Sequence, residues 1–181
     1  MKMKLRTLCL IDQTFQKCFL DWKRFIKEII NYLNKKLEGT EIKISPTIKK
    51  WDTKKLKRTY TSRLLDMEKK MKNYDKIIGF TNIMIFKDHP LYCGIGEGDR
   101  LIITNFFPIK IPFLYRYGLK KLTLHELGHT FGLRDSFFLK FSIMDNFFGI
   151  FTSRFTKKQI EIIKREVQSP HQNFINYLFS I

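Results

Sequence analysis

The sequence predicts an α/β fold with a mixed, mostly parallel sheet and two long helices. One observation is that a strand, a long amphipathic helix and a second strand follow one another at the start of the chain, an order typical of a parallel pair. Another is that β-prone and helical segments continue to alternate along the 181 residues. No internal repeat or low-complexity linker interrupts this order, so we expect one domain over residues 1–181.

The spacing of apolar residues defines the first three elements. Residues 5–11 (LRTLCLI) form an apolar run of strand length. From Thr14 to Leu37 apolar residues recur every three or four positions, which predicts an amphipathic helix. Alternation over 41–45 then predicts a second strand that ends at Pro46.

The later elements follow from β-prone runs and helix signals. The basic stretch 47–60 has no clean period and is expected to be a loop. The other predicted elements are a helix at 62–71, strands at 76–86, 91–97 and 101–107, a helix at 119–131, and a last helix from Thr156. Gly79 predicts a bulge in its strand, and Gln159 three residues after Thr156 forms a capping-box pattern.

Composition excludes several classes of protein. Hydrophobic residues make up 44 % and charged residues 28 % of the chain, which excludes wholesale disorder. No stretch approaches the roughly 18 consecutive apolar residues of a membrane span, and the apolar run from Leu8 to Ile11 is too short for a signal peptide. The three cysteines form no CxxC pair and no legible disulfide framework. We therefore expect a cytoplasmic chain with no membrane contact.

The chain is strongly basic, with 34 Lys and Arg against 17 Asp and Glu and a formal net charge of +17. A field of this sign attracts nucleic acid and other polyanions. The sequence is also rich in Lys, Ile, Asn and Phe throughout, so we interpret the charge as a general compositional bias. Nucleic acid is a partner that this composition allows but does not favour.

The segment HELGH at 125–129 indicates a metal site. Residues four apart lie on one face of a helix, so the imidazoles of His125 and His129 can reach one metal ion. Glu126 lies beside the first histidine without being a ligand, where it can accept the proton of a water that the metal acidifies. Chance gives an HExxH in a chain of this composition with a probability of roughly 0.4 %, so two unrelated core histidines explain the pattern poorly.

The residues after the second histidine extend the pattern to HExxHxxGxxD. Gly132 can end the helix and turn the chain back, and Asp135 can then complete a site with three protein ligands. A rival interpretation is that Asp135 caps the turn while a water or a more distant carboxylate such as Glu161 binds the metal. Met144 follows nine residues after Asp135.

This pattern resembles the metzincin signature, in which HExxHxxGxx[HD] is followed by a methionine turn. Within that group, HELGHT resembles the archaemetzincin motif, and residues 75–81 and 91–105 resemble strands that this family places around its cleft. The resemblance implies an α+β, metzincin-like catalytic domain with the active-site helix below the cleft. It divides the domain into an N-terminal subdomain at 1–132 and a small C-terminal subdomain at 133–181 that ends in a helix.

The resemblance also implies an activity, the hydrolysis of peptide bonds by a water that zinc activates. It makes His125, His129 and Asp135 the ligands of one catalytic zinc ion (Zn²⁺), Glu126 the general base and Met144 the support beneath the metal. A peptide or protein substrate would pair with the edge strand near 91–95. The substrate contacts that this implies are Cys93, Gly94 and Ile95 on the strand and Phe147 and Phe148 past the methionine turn, the last two being equally explained as core.

Two departures from the archaemetzincin pattern affect the metal content. The third ligand is usually histidine in that family, and here it is Asp135. The family usually has four cysteines after the motif that hold a second, structural zinc, but no cysteine follows Cys93 in this chain. Ser136 and Ser142 stand about where the first two would be, and a hydroxyl is a poor substitute for a thiolate. We therefore expect one zinc ion.

Two other functions remain open at this point. The chain could be a catalytically weak protein of metalloprotease fold that binds a polyanion or protein partner through its basic face. The presence of Glu126 argues against this, because metal binding alone does not need that carboxylate. It could also be a protease kept latent by its apolar C-terminus, residues 174–181. The sequence does not indicate the substrate or the oligomeric state.

Overall fold

The computed structural model describes residues 3–57, 59–83, 94–104, 112–135, 142–144 and 154–168. Within them the strands are β1 (Met3–Asp12), β2 (Ile42–Trp51), β3 (Lys76–Thr81), β4 (Gly94–Glu97) and β5 (Arg100–Thr104). The helices are α1 (Gln13–Cys18), α2 (Trp22–Lys36), α3 (Tyr60–Glu68), α4 (Pro112–His129) and α5 (Lys157–Gln168), and a 3-10 turn occupies Met71–Asn73. None of the described helices is both long and apolar enough to cross a membrane.

The five described strands form one sheet in the order β2-β1-β3-β5-β4. All neighbouring pairs are parallel except β4 with β5, which confirms the predicted mixed, mostly parallel sheet. Apolar residues of β1 alternate between the two faces. Cys9 and Ile11 pack with α2, whereas Leu8 and Leu10 pack with α3, so helices cover both sides of the sheet.

The predicted helix over Thr14–Leu37 consists of two helices instead of one. Helix α1 begins after Asp12, whose carboxylate accepts a hydrogen bond from the Thr14 backbone N–H at 2.6 Å. The backbone is extended at Phe19, and the centre of its ring lies 4.8 Å from the ring centres of both Phe15 and Phe25. The ring of Phe19 therefore packs between those of Phe15 and Phe25 at the point where α1 ends.

Two other predicted boundaries are wrong for reasons that depend on tertiary position. Strand β2 continues through Pro46 to Trp51, so the stretch 47–60 is not all loop. Proline is tolerated there because β2 is an edge strand, where a missing N–H need not break a ladder. Helix α4 begins at Pro112, seven residues before its predicted start, and proline suits the first position of a helix.

Helix α4 lies on the same face of the sheet as α2 and also contacts β4 and β5. Its buried residues Leu124 and Leu127, with Phe131 just beyond its end, join the larger hydrophobic cluster. On its more exposed side, Arg116 pairs with Asp21 at 3.0 Å, and Lys120 pairs with Glu28 at 3.2 Å. These contacts fix the helix that carries the HELGH segment between α2 and the edge of the sheet.

Helix α5 begins as the capping-box pattern predicts. The Thr156 backbone N–H donates to Gln159 Oε1 at 2.8 Å, and the Gln159 N–H donates to Thr156 Oγ1 at 3.3 Å. Ile163 of this helix is fully buried in the cluster that contains α4. The proposed division into subdomains at residue 132 is not tested by these contacts and stays a prediction.

Gly79 does not form the predicted bulge. It pairs in continuous register with Leu10 on β1 and Ile102 on β5. Glycine is needed there for a different reason, since a Cβ atom would lie 2.7 Å from the buried ring of Trp51. The indole is held in place by its N–H, which donates to Asp66 at 2.8 Å.

We expect Gly79→Ala to lower the free energy of unfolding by about 1–3 kcal/mol, the usual range for overpacking a core. Gly118→Ala is the matched control, because its Cβ atom would meet nothing within 4 Å in helix α4. That substitution should instead raise the stability by about 0.5–1 kcal/mol. Urea unfolding of both variants measures the difference, and equal effects would contradict the role of Trp51.

Candidate metal centre

The end of helix α4 is built around Gly132. The Leu133 N–H donates to Gly128 O at 3.1 Å and the Gly132 N–H to His129 O at 2.9 Å, a pair of bonds that forms a Schellman motif. Gly132 has a φ of 74°, the left-handed conformation that this motif requires and that glycine adopts without strain. The chain therefore turns back after the second histidine, as the sequence predicts.

Backbone carbonyls orient both histidine rings. His125 Nδ1 lies 2.9 Å from Ile143 O, and His129 Nδ1 lies 2.9 Å from Leu133 O. A carbonyl only accepts hydrogen bonds, so each Nδ1 carries the proton and each Nε2 presents its lone pair. Metal-binding histidines commonly have such a partner on the second ring nitrogen, because it fixes both the tautomer and the ring plane.

Three donor atoms converge on one point. His125 Nε2 and His129 Nε2 are 3.2 Å apart, and Asp135 Oδ1 lies 3.3 Å from the first and 3.4 Å from the second. Ligand atoms of tetrahedral zinc, at about 2.0–2.2 Å from the metal, are roughly 3.3–3.6 Å apart. The donor triangle thus fits a zinc ion. Among the described residues no other group of three such side chains converges, and Glu161 is not in this one.

The histidines differ in their electrostatic environment. Burial lowers the pKa of His125, but the contacts with Asp135 and Ile143 O and the charge of Glu126 outweigh it, so the net pKa is raised. Burial lowers the pKa of His129, and contacts with Leu133 and Asp135 only partly offset this. The carboxylate of Asp135 therefore stabilises positive charge at both rings, as it would at a cation between them.

Glu126 is buried beside the donor triangle, with 6 % of the residue exposed. Burial is the main cause that raises its pKa to about 7, and the charge of Asp135 adds to it. The neighbouring His125 and the backbone N–H of Gly96 act in the opposite direction, since both stabilise the carboxylate. The side chain thus lies between the histidine pair and strand β4.

Strand β4 passes directly over Glu126. A Cβ atom on Gly94 would lie 2.6 Å from Glu126 Cγ, and one on Gly96 would overlap the Glu126 carbonyl oxygen. Residues two apart share a face of a strand, so these two glycines form a smooth surface against helix α4. Ile95 points to the other face and packs against the cluster that contains α3.

Met144 supports the helix from the opposite side. Its side chain is fully buried, and a Cβ atom on Gly128 would lie 2.5 Å from its sulfur. Ser142 holds this turn in place, since its hydroxyl accepts from the Met144 N–H at 3.0 Å and donates to Gln159 at 2.8 Å. The Ser142 hydroxyl thus ties this turn to the start of α5 by a hydrogen bond.

Solved structures share this fold. Archaemetzincin from Methanopyrus kandleri superposes with a TM-score of 0.63 over 91 % of this chain and 96 % of that chain, at 22 % sequence identity. The fold is that of archaemetzincin. A zinc-dependent peptidase from Methanocorpusculum labreanum (strain Z) gives a TM-score of 0.60 over 86 % of this chain and 99 % of that one, at 14 % identity. No family model and no curated protein matches the sequence.

The same fold also occurs within a longer chain. A chain in a chaperone–substrate complex superposes with a TM-score of 0.62, covering 92 % of this chain but 35 % of that one, at 11 % identity. At sequence identities of 11–22 %, these similarities show a shared arrangement of helices and strands. The archaemetzincin fold is therefore established for this chain, and its chemistry has to be argued from its own residues.

The archaemetzincin fold brings together most of the site residues that the sequence predicts. His125, His129 and Asp135 converge, with Glu126 beside them, and Met144 packs beneath the helix. Gly94 lies against Glu126, and Ile95 contributes only its backbone to that side of the strand. Cys93, Phe147 and Phe148 lie outside the described residues and stay predictions, as does the role of residues 174–181.

Sequence analysis missed three contributors to this site. Gly96 and Gly128 permit the close contacts on either side of α4, and the alternation Gly-x-Gly at 94–96 was the available signal. Lys76 is the third. Its Nζ donates to Thr130 O at 2.6 Å and to Asp99 at 2.5 Å, which ties the end of α4 to the turn between β4 and β5. No motif surrounds this lysine in the sequence.

We expect Asp135→Ala to weaken zinc binding by more than the roughly 10–100-fold that loss of an outer-shell partner typically causes. Removing a donor of the triangle leaves two imidazoles to hold the ion. Glu161→Ala is the matched control, since it removes the rival carboxylate and should leave the affinity unchanged. Competition with a chromophoric chelator measures both, and the reverse order of effects would assign the third ligand to Glu161.

Proposed function

We propose that this chain is a zinc-dependent peptidase in which Glu126 is the general base. The observation that carries the proposal is the donor triangle of His125, His129 and Asp135 with a buried carboxylate next to it. Two imidazoles and one carboxylate are ligands that zinc accepts, and three protein ligands leave a position open. When bound there, one zinc ion would acidify a water molecule and polarise the scissile carbonyl.

The chain's own residues would position the reactants and move the proton. Glu126 would accept the proton of the attacking water and return it to the leaving amine. Its place directly after His125 keeps the carboxylate beside the open position, and the Gly96 N–H limits its rotation. The carbonyls of Ile143 and Leu133 hold the imidazoles in the tautomer that binds a cation.

Strand β4 is where we propose that a peptide binds. It is the last strand of the described sheet and pairs on one side only, with β5. An extended peptide can add to such an edge through backbone hydrogen bonds. Because Gly94 lacks a side chain, the peptide backbone could approach Glu126 without a steric barrier from this strand. Contacts from Cys93, Ile95, Phe147 and Phe148 belong to this proposal.

A second candidate function follows from the basic surface. Lys43, Lys49 and Lys50 are exposed on β2, at the edge of the sheet opposite to β4. A protein that bound a polyanion or a protein partner through these residues could retain the metal centre and have weak activity. The test below separates the two, because such binding would not depend on Glu126.

We expect Glu126→Gln to reduce peptide hydrolysis by roughly 10²–10⁴-fold, the usual contribution of a general base, without loss of zinc. Glu97→Gln is the matched control, because it removes an exposed carboxylate from the end of β4. Cleavage of a peptide library by zinc-loaded wild type and both variants, with metal analysis of each, measures the effect. Undiminished cleavage by the Glu126 variant would contradict the proposal.

A further inference from the structure

A second concave site lies at the edge of the sheet opposite to the metal centre. It is a cavity of about 450 Å³ at the carboxyl ends of β1 and β2, within the size range of small-molecule sites. Its lining comes from the start of α1, the residues that follow β2, helix α3 and the end of β3. None of these residues belongs to the metal centre. We call this cavity the β1–β2 crevice.

The topology of the sheet creates the crevice. After β1 the chain passes into α2 on one face, and after β2 it passes into α3 on the other face. The two connections therefore diverge from the ends of neighbouring parallel strands and leave a gap between them. In open parallel sheets, ligands bind outside the carboxyl ends of the strands, which is the end of the sheet where this gap lies.

The floor of the crevice is a buried polar network. Asp12 Oδ2 accepts from the Arg63 guanidinium at 3.4 Å, and both side chains are almost fully buried. Asp12 also accepts hydrogen bonds from the hydroxyls of Thr14 and Thr53. Burying an ion pair costs desolvation and is weak evidence of a stabilising role. Because its members are hydrogen-bonded to one another, the network gives the crevice a rigid floor.

The rim of the crevice carries two lysines and one carboxylate, so its charge is net positive. Lys50 and Lys54 line it and are exposed, and the carboxylate of Asp52 accepts the backbone N–H of Lys54 at 3.2 Å. The apolar part of the wall includes Leu56 and Ile83. Lys49, Lys55 and Lys57 are adjacent in sequence to lining residues and are also exposed. Lysine ammonium groups act as point charges and are common ligands of phosphate.

We propose that the β1–β2 crevice binds a small organic phosphate. The phosphate group would lie between Lys50 and Lys54, and the rest of the molecule would pack towards Leu56 and Ile83. Asp12 does not repel it, because three donors and Arg63 already satisfy that carboxylate. This inference concerns binding and does not rest on the proposed peptidase function.

Calorimetry with AMP, inorganic phosphate and succinate tests the proposal on the full chain. Lys50→Ala/Lys54→Ala should raise the Kd of AMP about tenfold or more, since it removes two charge-assisted contacts. Lys157→Ala/Lys158→Ala is the matched control. These two exposed lysines lie at the start of α5, outside the lining of the crevice, and the net charge falls by the same amount. The control should bind AMP as the wild type does.

Fluorescence of Trp51 provides a second, local readout. The chain has two tryptophans, so a Trp22→Phe background leaves only the one that lines the crevice. AMP should change this fluorescence with the Kd found by calorimetry, and should bind more tightly than inorganic phosphate or succinate.

The proposal is overturned if millimolar AMP does not bind, if succinate binds as tightly as AMP, or if the control variant loses as much affinity for AMP as the Lys50/Lys54 variant. A short oligonucleotide that bound much more tightly than AMP, with a steep dependence on salt, would also overturn the proposal. Such a result would indicate an extended nucleic-acid-binding surface instead of a small-molecule site.

Discussion

The close approach of strand β4 to helix α4 determines the geometry of the metal centre. Gly94 and Gly96 let the strand backbone lie directly on Glu126, and Gly128 lets Met144 pack against the other side of the same helix. The helix is thus held between a strand and a turn, and the glycine at each of these positions leaves room for the neighbouring atoms of Glu126 or Met144. Because interiors are close-packed, a displacement of either neighbour would move the histidines with it.

Hydrogen bonds to main-chain atoms orient the side chains of the metal centre within this packing. The carbonyls of Leu133 and Ile143 fix the two imidazoles, and Leu133 is itself fixed by the Schellman motif at the end of α4. Lys76 joins the same helix end to the turn at Asp99, with its pKa lowered by burial despite that ion pair. A cation near a helix C-terminus is favourable, so this contact also stabilises the end of α4.

The sequence predicts the metal-binding and catalytic side chains of the site better than the residues that hold them in place. The spacing of His125, Glu126 and His129 needs only helical geometry, and Gly132 follows from the way helices end. The place of Asp135 comes from the resemblance to the metzincin pattern. The partners of the Nδ1 atoms could not be predicted, because every residue has a carbonyl. The predicted ends of helices and strands were wrong where they depend on tertiary position. Proline at 46 is tolerated because β2 lies at an edge of the described sheet, and the break at Phe19 leaves no signal in the helical spacing of the apolar residues.

The sheet separates two kinds of electrostatic environment. At the β4 edge, Glu126 and Asp135 place two carboxylates around a pair of imidazoles, an arrangement that attracts a cation. At the carboxyl ends of β1 and β2, Lys50 and Lys54 line the crevice above a carboxylate that is already satisfied, an arrangement that attracts an anion. Ionic screening over roughly 8 Å at physiological salt keeps exposed charges at the two edges largely independent. The general excess of positive charge in this chain therefore does not conflict with a metal centre, because local carboxylates set the potential there.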